Sequence, residues 1–178
     1  MRSELLLIGG RSGVGKTTAA LALHERLKSR EVKHAVIEGD YLDLAVPAPH
    51  EAHPGVGLAE RNLAAIWANY RELGYRRLIL TNTASVLSAQ TLAEAMGDDP
   101  LITAVLLRAD DDSTRHRLGG RPTSGPIDAA VIASARTGAW LEDSSDEHVH
   151  RIDTDGLTPD RIASRLERLV GWETREMP

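Results

Sequence analysis

Eight residues near the amino end, Gly10-Arg11-Ser12-Gly13-Val14-Gly15-Lys16-Thr17, carry the spacing G-x-x-x-x-G-K-[ST] without exception. Glycines in this pattern let the backbone curl until successive N–H groups point inward, the geometry that cradles phosphate oxygens. The lysine can reach β- and γ-phosphates, and the threonine hydroxyl can ligate Mg²⁺. Gly10, Arg11, Ser12, Gly13, Val14, Gly15, Lys16, Thr17 and Thr18 are therefore the expected nucleotide-binding residues, with ATP and Mg²⁺ as ligands. Lys16 is expected to face solvent as a point charge awaiting phosphate. A dinucleotide fingerprint fails here, because Thr18 stands where its third glycine would be. No N-K-x-D occurs, so nothing specifies guanine.

A carboxylate and several arginines can complete a phosphate-transfer site. Asp40 closes the apolar run Ala35-Val36-Ile37. There it can take the proton of a substrate hydroxyl or hold Mg²⁺, so Thr17 and Asp40 are the expected metal residues. The alternative is a cap on a helix over Tyr41–Leu44, since Asp caps helices readily. Glu38 and Asp43 are weaker candidates. Arg115, Arg117 and Arg121 flank a glycine-rich segment. Arg117 and Arg121 are expected to neutralise the transferring phosphoryl group from a lid over about 115–126, hinged at Gly119, Gly120 and Gly125. Arg115 would stack on adenine or face water, and the alternative for all three is a solvated helix face. The catalytic set is thus Lys16, Asp40, Arg117 and Arg121. Thr81, Asn82, Thr83 and Ser85 form a polar cluster that either senses the γ-phosphate and acceptor or makes an ordinary turn. His50-Glu51-Ala52-His53 is one residue short of a zinc-protease motif, and His148 and His150 read as a surface pair.

Alternating elements must hold these groups. Short apolar runs at Glu4–Gly9, Ala35–Ile37, Arg77–Leu80, Leu101–Leu107 and Val149–Ile152 read as strands. Helical spacing runs from Lys16 to about Arg30, over Leu58–Leu73, Ser88–Met96 and Asp110–Leu118, from Ile127 to about Glu142, and from Pro159 to Val170. Val46–Gly57, with three prolines, reads as a loop. The alternation predicts an α/β, three-layer P-loop NTPase fold: five parallel strands with helices on both faces, in one domain over 1–178. Ligands then gather at the carboxyl ends of the strands. Those ends carry Gly9, Glu38-Gly39-Asp40, Thr81-Asn82-Thr83, Arg108 and Asp153-Thr154-Asp155, the last beside the expected adenine position.

Composition narrows the class. The 178 residues contain no cysteine, which excludes disulfides, thiolate metal sites and a cysteine nucleophile. A net charge of −5 argues against a nucleic-acid groove. No signal-peptide pattern or membrane-length apolar run is present, so the expected location is the cytoplasm.

GRSGVGKTT, then Glu38-Gly39-Asp40, then Glu60-Arg61-Asn62 on the following helix resemble the adenylyl-sulfate kinase group of P-loop small-molecule kinases. More loosely the chain is similar to gluconate, shikimate and chloramphenicol kinases. The resemblance implies transfer of the ATP γ-phosphate to a hydroxyl of a small molecule, and a tunicamycin- or chloramphenicol-resistance role fits it. The departures fall on the substrate side. Ala64-Ala65 replace the family's paired arginines, and Asn82-Thr83-Ala84 replaces its I-S-P, which argues against adenylyl sulfate itself. The alternative is a P-loop nucleotide-binding switch or assembly factor without transferase activity.

Overall fold

A computed structural model of the chain describes residues 2–120 and 126–172. Among the described residues five strands form one all-parallel sheet, β1 (Glu4–Gly9), β2 (Ala35–Glu38), β3 (Arg77–Thr81), β4 (Leu101–Arg108) and β5 (His150–Asp153), in the order β2-β3-β1-β4-β5. The helices are α1 (Lys16–Lys28), α2 (Pro49–Ala52), α3 (Leu58–Glu72), α4 (Ala89–Met96), α5 (Asp111–Gly119), α6 (Ile127–Ser144) and α7 (Pro159–Val170). The expected α/β architecture with helices on both faces is the one observed.

Alternation along β1 builds the two faces. Leu6 and Ile8 point to one side, where they pack with Ala19, Ala20, Leu23 and Leu27 of α1 and Ile162 and Leu166 of α7. Leu5 and Leu7 point to the other, against Leu63 and Trp67 of α3 and Leu92 and Met96 of α4. A smaller apolar cluster seats Leu141 of α6 on Val86, Leu106 and Val149. Complete burial of these leucines, each stabilising by roughly 1.5–3 kcal/mol, fixes which strand ends lie together.

Two local expectations are corrected. Val46–Gly57 is not irregular throughout, because Ala48 is extended and Pro49, with φ already preset, starts the single turn of α2. No helix forms over Tyr41–Leu44. Instead a 3₁₀ turn covers Gly39–Tyr41 with Glu38 at its N-cap position, so Asp40 lies inside the turn and caps nothing. By contrast Thr158 caps α7 as read, accepting from the Arg161 amide at 3.3 Å ahead of Pro159.

A histidine pair ties α1 to the start of β2. The Val32 carbonyl can only accept, so His34 Nδ1 donates to it at 2.6 Å, which leaves His34 Nε2 to accept from His24 Nδ1 at 2.9 Å. Burial, and then the neighbouring His24 and Arg77, hold His34 below the ordinary imidazole pKa. His34 is thus neutral in the fold, whereas the unfolded chain takes up its proton near pH 6.5. The sign follows: stability is full above that pH and falls as pH drops toward the depressed folded value. Thermal unfolding between pH 7 and 5.5 should show this loss, with a shallower slope in His34→Gln; an unchanged slope would count against a neutral His34.

Candidate functional site

The loop between β1 and α1 has the curled backbone that its glycines promise, with φ of 141° at Gly10, 81° at Gly13 and 103° at Gly15. Gly15 is the telling position. A Cβ there would meet nothing within 4 Å, so the positive φ, not packing, requires glycine. Gly15 borders open space that Gly13, Val14 and Thr18 also line. Helix α1 begins beside it with no side-chain cap, which leaves a positive helix end facing the same space. The residues present therefore fit a chain of phosphates.

Lys16 does not face solvent as expected. It is buried, and its Nζ donates to the Gly10 carbonyl at 2.9 Å and to Thr83 Oγ1 at 3.3 Å, lying across the loop toward the end of β3. Thr83 is the junction of the site. Its carbonyl accepts from the Gly10 amide at 3.1 Å, its hydroxyl receives Lys16, and its amide donates to Asp40 Oδ1 at 3.3 Å. Asn82 also donates to Asp40 Oδ1, at 2.8 Å, while its own Oδ1 receives the Ala84 amide. The polar cluster after β3 is thus the link between P-loop and Asp40. Ser85 is fully buried and donates to the Asn82 carbonyl, which supports the turn.

The carboxylate that reaches Thr17 is Glu38 and not Asp40. Thr17 Oγ1 donates to Glu38 Oε2 at 2.6 Å, and Thr81 donates to the other oxygen. Gly39, between the two acids, approaches β3 so closely that a Cβ would come 2.7 Å from the Thr81 carbonyl. The two acids therefore diverge from one tight point, Glu38 to the P-loop hydroxyl and Asp40 to the loop after β3. The sequence signal for Glu38 was its place two residues before Asp40 at a strand end. Asp43 stands apart, lining a cavity of about 210 Å³ with His50 and Glu60. Asn62 donates to the Leu42 carbonyl and steadies the segment after Asp40.

The arginines separate. Arg115 pairs with Asp128 at the start of α6, on the surface. Arg117 Nη1 donates to the Val14 carbonyl and to Thr154 Oγ1, both at 3.0 Å, and Nη2 donates to the Thr154 carbonyl at 3.2 Å. Together with Gly15, Thr18, Leu157 and Pro159 it lines a slot of about 200 Å³ running from the P-loop along α1. Arg121 and Gly125 lie outside the described residues, whereas Gly119, expected as a hinge, ends α5 and Gly120 follows it with φ of −83°. Arg11 turns away from the loop's concavity. Its Nε donates to Ser134 Oγ at 2.8 Å, and Nη1 reaches Asp111 at 2.7 Å. Ser134 Oγ in turn donates to the Ser12 carbonyl at 2.7 Å, so α6 grips the P-loop from outside. No group of three His, Asp or Glu residues that could hold a metal occurs among the described residues, and His148 is an exposed side chain.

No family model matches the chain. A curated relative from Syntrophotalea carbinolica, described as a nucleotide-binding protein, is 26% identical over 178 residues, covering 99% of this chain and 57% of that protein. The chain thus spans little more than half of that relative's length. Among solved structures, the Deinococcus radiodurans tunicamycin resistance protein superposes with a TM-score of 0.62 at 25% identity, covering 99% of this chain and 100% of that one. The APS kinase of Mycobacterium tuberculosis, in complex with AMPPNP and APS, gives 0.60 at 17% identity over 96% and 98% of the two chains. Shikimate kinase from Bacteroides thetaiotaomicron gives 0.62 at 16% over 94% and 98%. The chain has the P-loop small-molecule kinase-like fold.

Ser134 holds two P-loop groups at once. Ser134→Ala leaves the Ser12 carbonyl and Arg11 Nε without their shared partner, and should cost about 1–3 kcal/mol of stability. Urea unfolding measures this. A hydroxyl restored in Ser134→Thr should recover part of the loss, and an unchanged midpoint in Ser134→Ala would show that the grip is not needed.

Proposed function

We propose that this kinase-fold chain is a cytoplasmic phosphotransferase that moves the γ-phosphate of ATP to a hydroxyl of a small molecule, using one domain over 1–178. The observation that carries the reading is the divergence of Glu38 and Asp40 from one strand tip, one onto Thr17 and the other onto the loop bonded to Lys16. That arrangement separates a metal-side carboxylate from an acceptor-side one.

In this reading the amides of Gly13 to Thr18 and the Lys16 ammonium bind the β- and γ-phosphates. The residues that would hold Mg²⁺ are Thr17 and Glu38, the latter taking the place first expected for Asp40. The metal's contribution is neutralisation of phosphate charge. The slot under Arg117 takes the adenine, its planar guanidinium fixed by Val14 and Thr154 and facing the side of Leu157 and Pro159. Arg117 thus serves the base, and the phosphate role first given to both arginines passes to Arg121 alone. Asp40 accepts the proton of the acceptor hydroxyl as its oxygen bonds to the γ-phosphorus. The bond to the β–γ bridging oxygen breaks, and ADP leaves. The APS kinase in complex with AMPPNP and APS, the shikimate kinase and the tunicamycin resistance protein support a small hydroxylated acceptor. The name of the Syntrophotalea relative favours the second reading, nucleotide binding alone, in a switch or assembly factor.

A thermal-shift screen of hydroxylated metabolites and antibiotics with AMPPNP and Mg²⁺ should find an acceptor that stabilises only the nucleotide-loaded chain. Against that acceptor, Asp40→Asn should retain ATP binding and lose roughly 10²- to 10⁴-fold in transfer. Turnover near the parent level would remove Asp40 from catalysis. Failure to find any transfer, with ATP binding intact, would favour the second reading.

Lys16→Ala should weaken ATP binding or abolish turnover while the chain stays folded, since the substitution removes the ammonium and leaves the backbone cradle. Isothermal titration with AMPPNP measures it, and parent-like affinity together with parent-like turnover would sink the P-loop assignment.

A further inference from the structure

A cavity of about 290 Å³ lies between the carboxyl end of β4 and α6. The adenine slot belongs to the α1 and α7 layer, whereas this cavity opens under α6. Its walls are largely apolar, with Leu106 and Leu107 of β4 across from Ala135, Ala139 and Leu141 of α6. Neither Glu38, Asp40 nor Thr83 lines it, so its occupant is not the group that receives phosphate.

Three ionisable side chains line the cavity, Arg11, Arg108 and Glu142. Arg108 is satisfied by both oxygens of Asp153, at 2.8 and 3.0 Å. Glu142 receives Arg151 at 2.8 Å. Arg11 is not fully satisfied. Its side chain is only 9% exposed, and Nε and Nη1 are taken by Ser134, Asp111 and the Ala109 carbonyl. The buried Nη2 has no hydrogen-bond partner among the described residues. A buried charged donor left unmade is costly, so an acceptor oxygen supplied from outside gains more here than at the surface.

We propose that this cavity binds a small monoanionic carboxylate with an apolar body, and that its occupancy is coupled to nucleotide binding. Each lining charge already faces an opposite one, Asp111 for Arg11, Asp153 for Arg108 and Arg151 for Glu142, so the preference for an anionic oxygen rests on the unmade Nη2 donor. The carboxylate oxygen takes the Nη2 hydrogen of Arg11, which is closed off in the empty cavity and is reached by a turn of the guanidinium, and the hydrocarbon lies against Leu106, Ala135 and Ala139. The volume sits at the low end of the roughly 300–1,000 Å³ usual for ligand pockets, which sets a compact ligand. Coupling follows from the chain itself. Arg11 is the second residue of the P-loop, and Ser134 holds both its Nε and the Ser12 carbonyl. A ligand that draws the guanidinium toward the cavity pulls on the segment that wraps the phosphates, and linkage makes the effect reciprocal. The binding half stands without any nucleotide; the coupling half rests on the ATP reading.

The test uses the full chain, ¹⁵N-labelled, with 3-phenylpropionate as probe and the neutral 3-phenylpropionamide as control. Without nucleotide, the carboxylate should give saturable shifts at the amides of Ala109, Ala135 and Gly138, and the amide should bind about tenfold more weakly. Ala135→Leu and Ala139→Leu, which fill the cavity, should remove the shifts while AMPPNP titrations stay at the parent level. With the parent chain saturated in 3-phenylpropionate, AMPPNP affinity should change by about 5- to 150-fold. No saturable shift at millimolar probe, equal binding of acid and amide, or unaltered shifts in both filled variants would overturn the site. Binding without change in AMPPNP affinity, in a chain that binds AMPPNP, would overturn the coupling. If the filled variants unfold, the acid-against-amide comparison on the parent chain still decides the site.

Discussion

Parallel pairing of β1 with β3 is the constraint from which the site follows. The register sets Ile8 against Thr81, and β2 adds Glu38 against the same Thr81. A parallel sheet brings all its carboxyl ends to one edge, so the loop after β1, the acids after β2 and the polar turn after β3 meet without further instruction. A one-residue slip of β1 would carry Gly9 and the loop after it out of line with Thr81. Thr17, Glu38 and Thr81 owe their meeting to that register.

Much of this was legible in the sequence, for physical reasons. The P-loop motif is local, and its glycines and helix start act through backbone geometry that eight residues specify. The strands were readable because each is a short, nearly continuous apolar run, and α7 because Thr158-Pro159 marks its start. What stayed hidden depends on contacts between segments. Which of Glu38 and Asp40 reaches Thr17 is decided by how far the chain advances between β2 and the 3₁₀ turn, and no spacing states that. The directions of Arg11 and Arg117 were hidden likewise, because both are fixed by carbonyls and hydroxyls more than a hundred or some tens of residues away along the chain. The short turn at Pro49 was missed because proline marks both loops and helix starts.

Helix α6 has a part in this site that its composition does not announce. It is rich in alanine with a glycine at 138, and that smallness lets the Arg11 stem pass close, since a Cβ at Gly138 would come 3.1 Å from Arg11 Cδ. The same close approach positions Ser134 over Ser12. One helix face thus supports the outside of the P-loop while the opposite, nucleotide-facing side is left to backbone groups.

The three bonds of Thr83 bear on how such a fold could be redesigned or could diverge. Its carbonyl serves the P-loop, its hydroxyl the lysine and its amide the acid at position 40. Exchange of the loop after β3 would therefore shift the P-loop, Lys16 and Asp40 together. Arg61 of α3 and Tyr41, the residue after Asp40, are exposed and lie outside those three bonds. Divergence within this architecture is thus less constrained at Arg61 and Tyr41 than in the loop that a single threonine ties to the P-loop, Lys16 and Asp40.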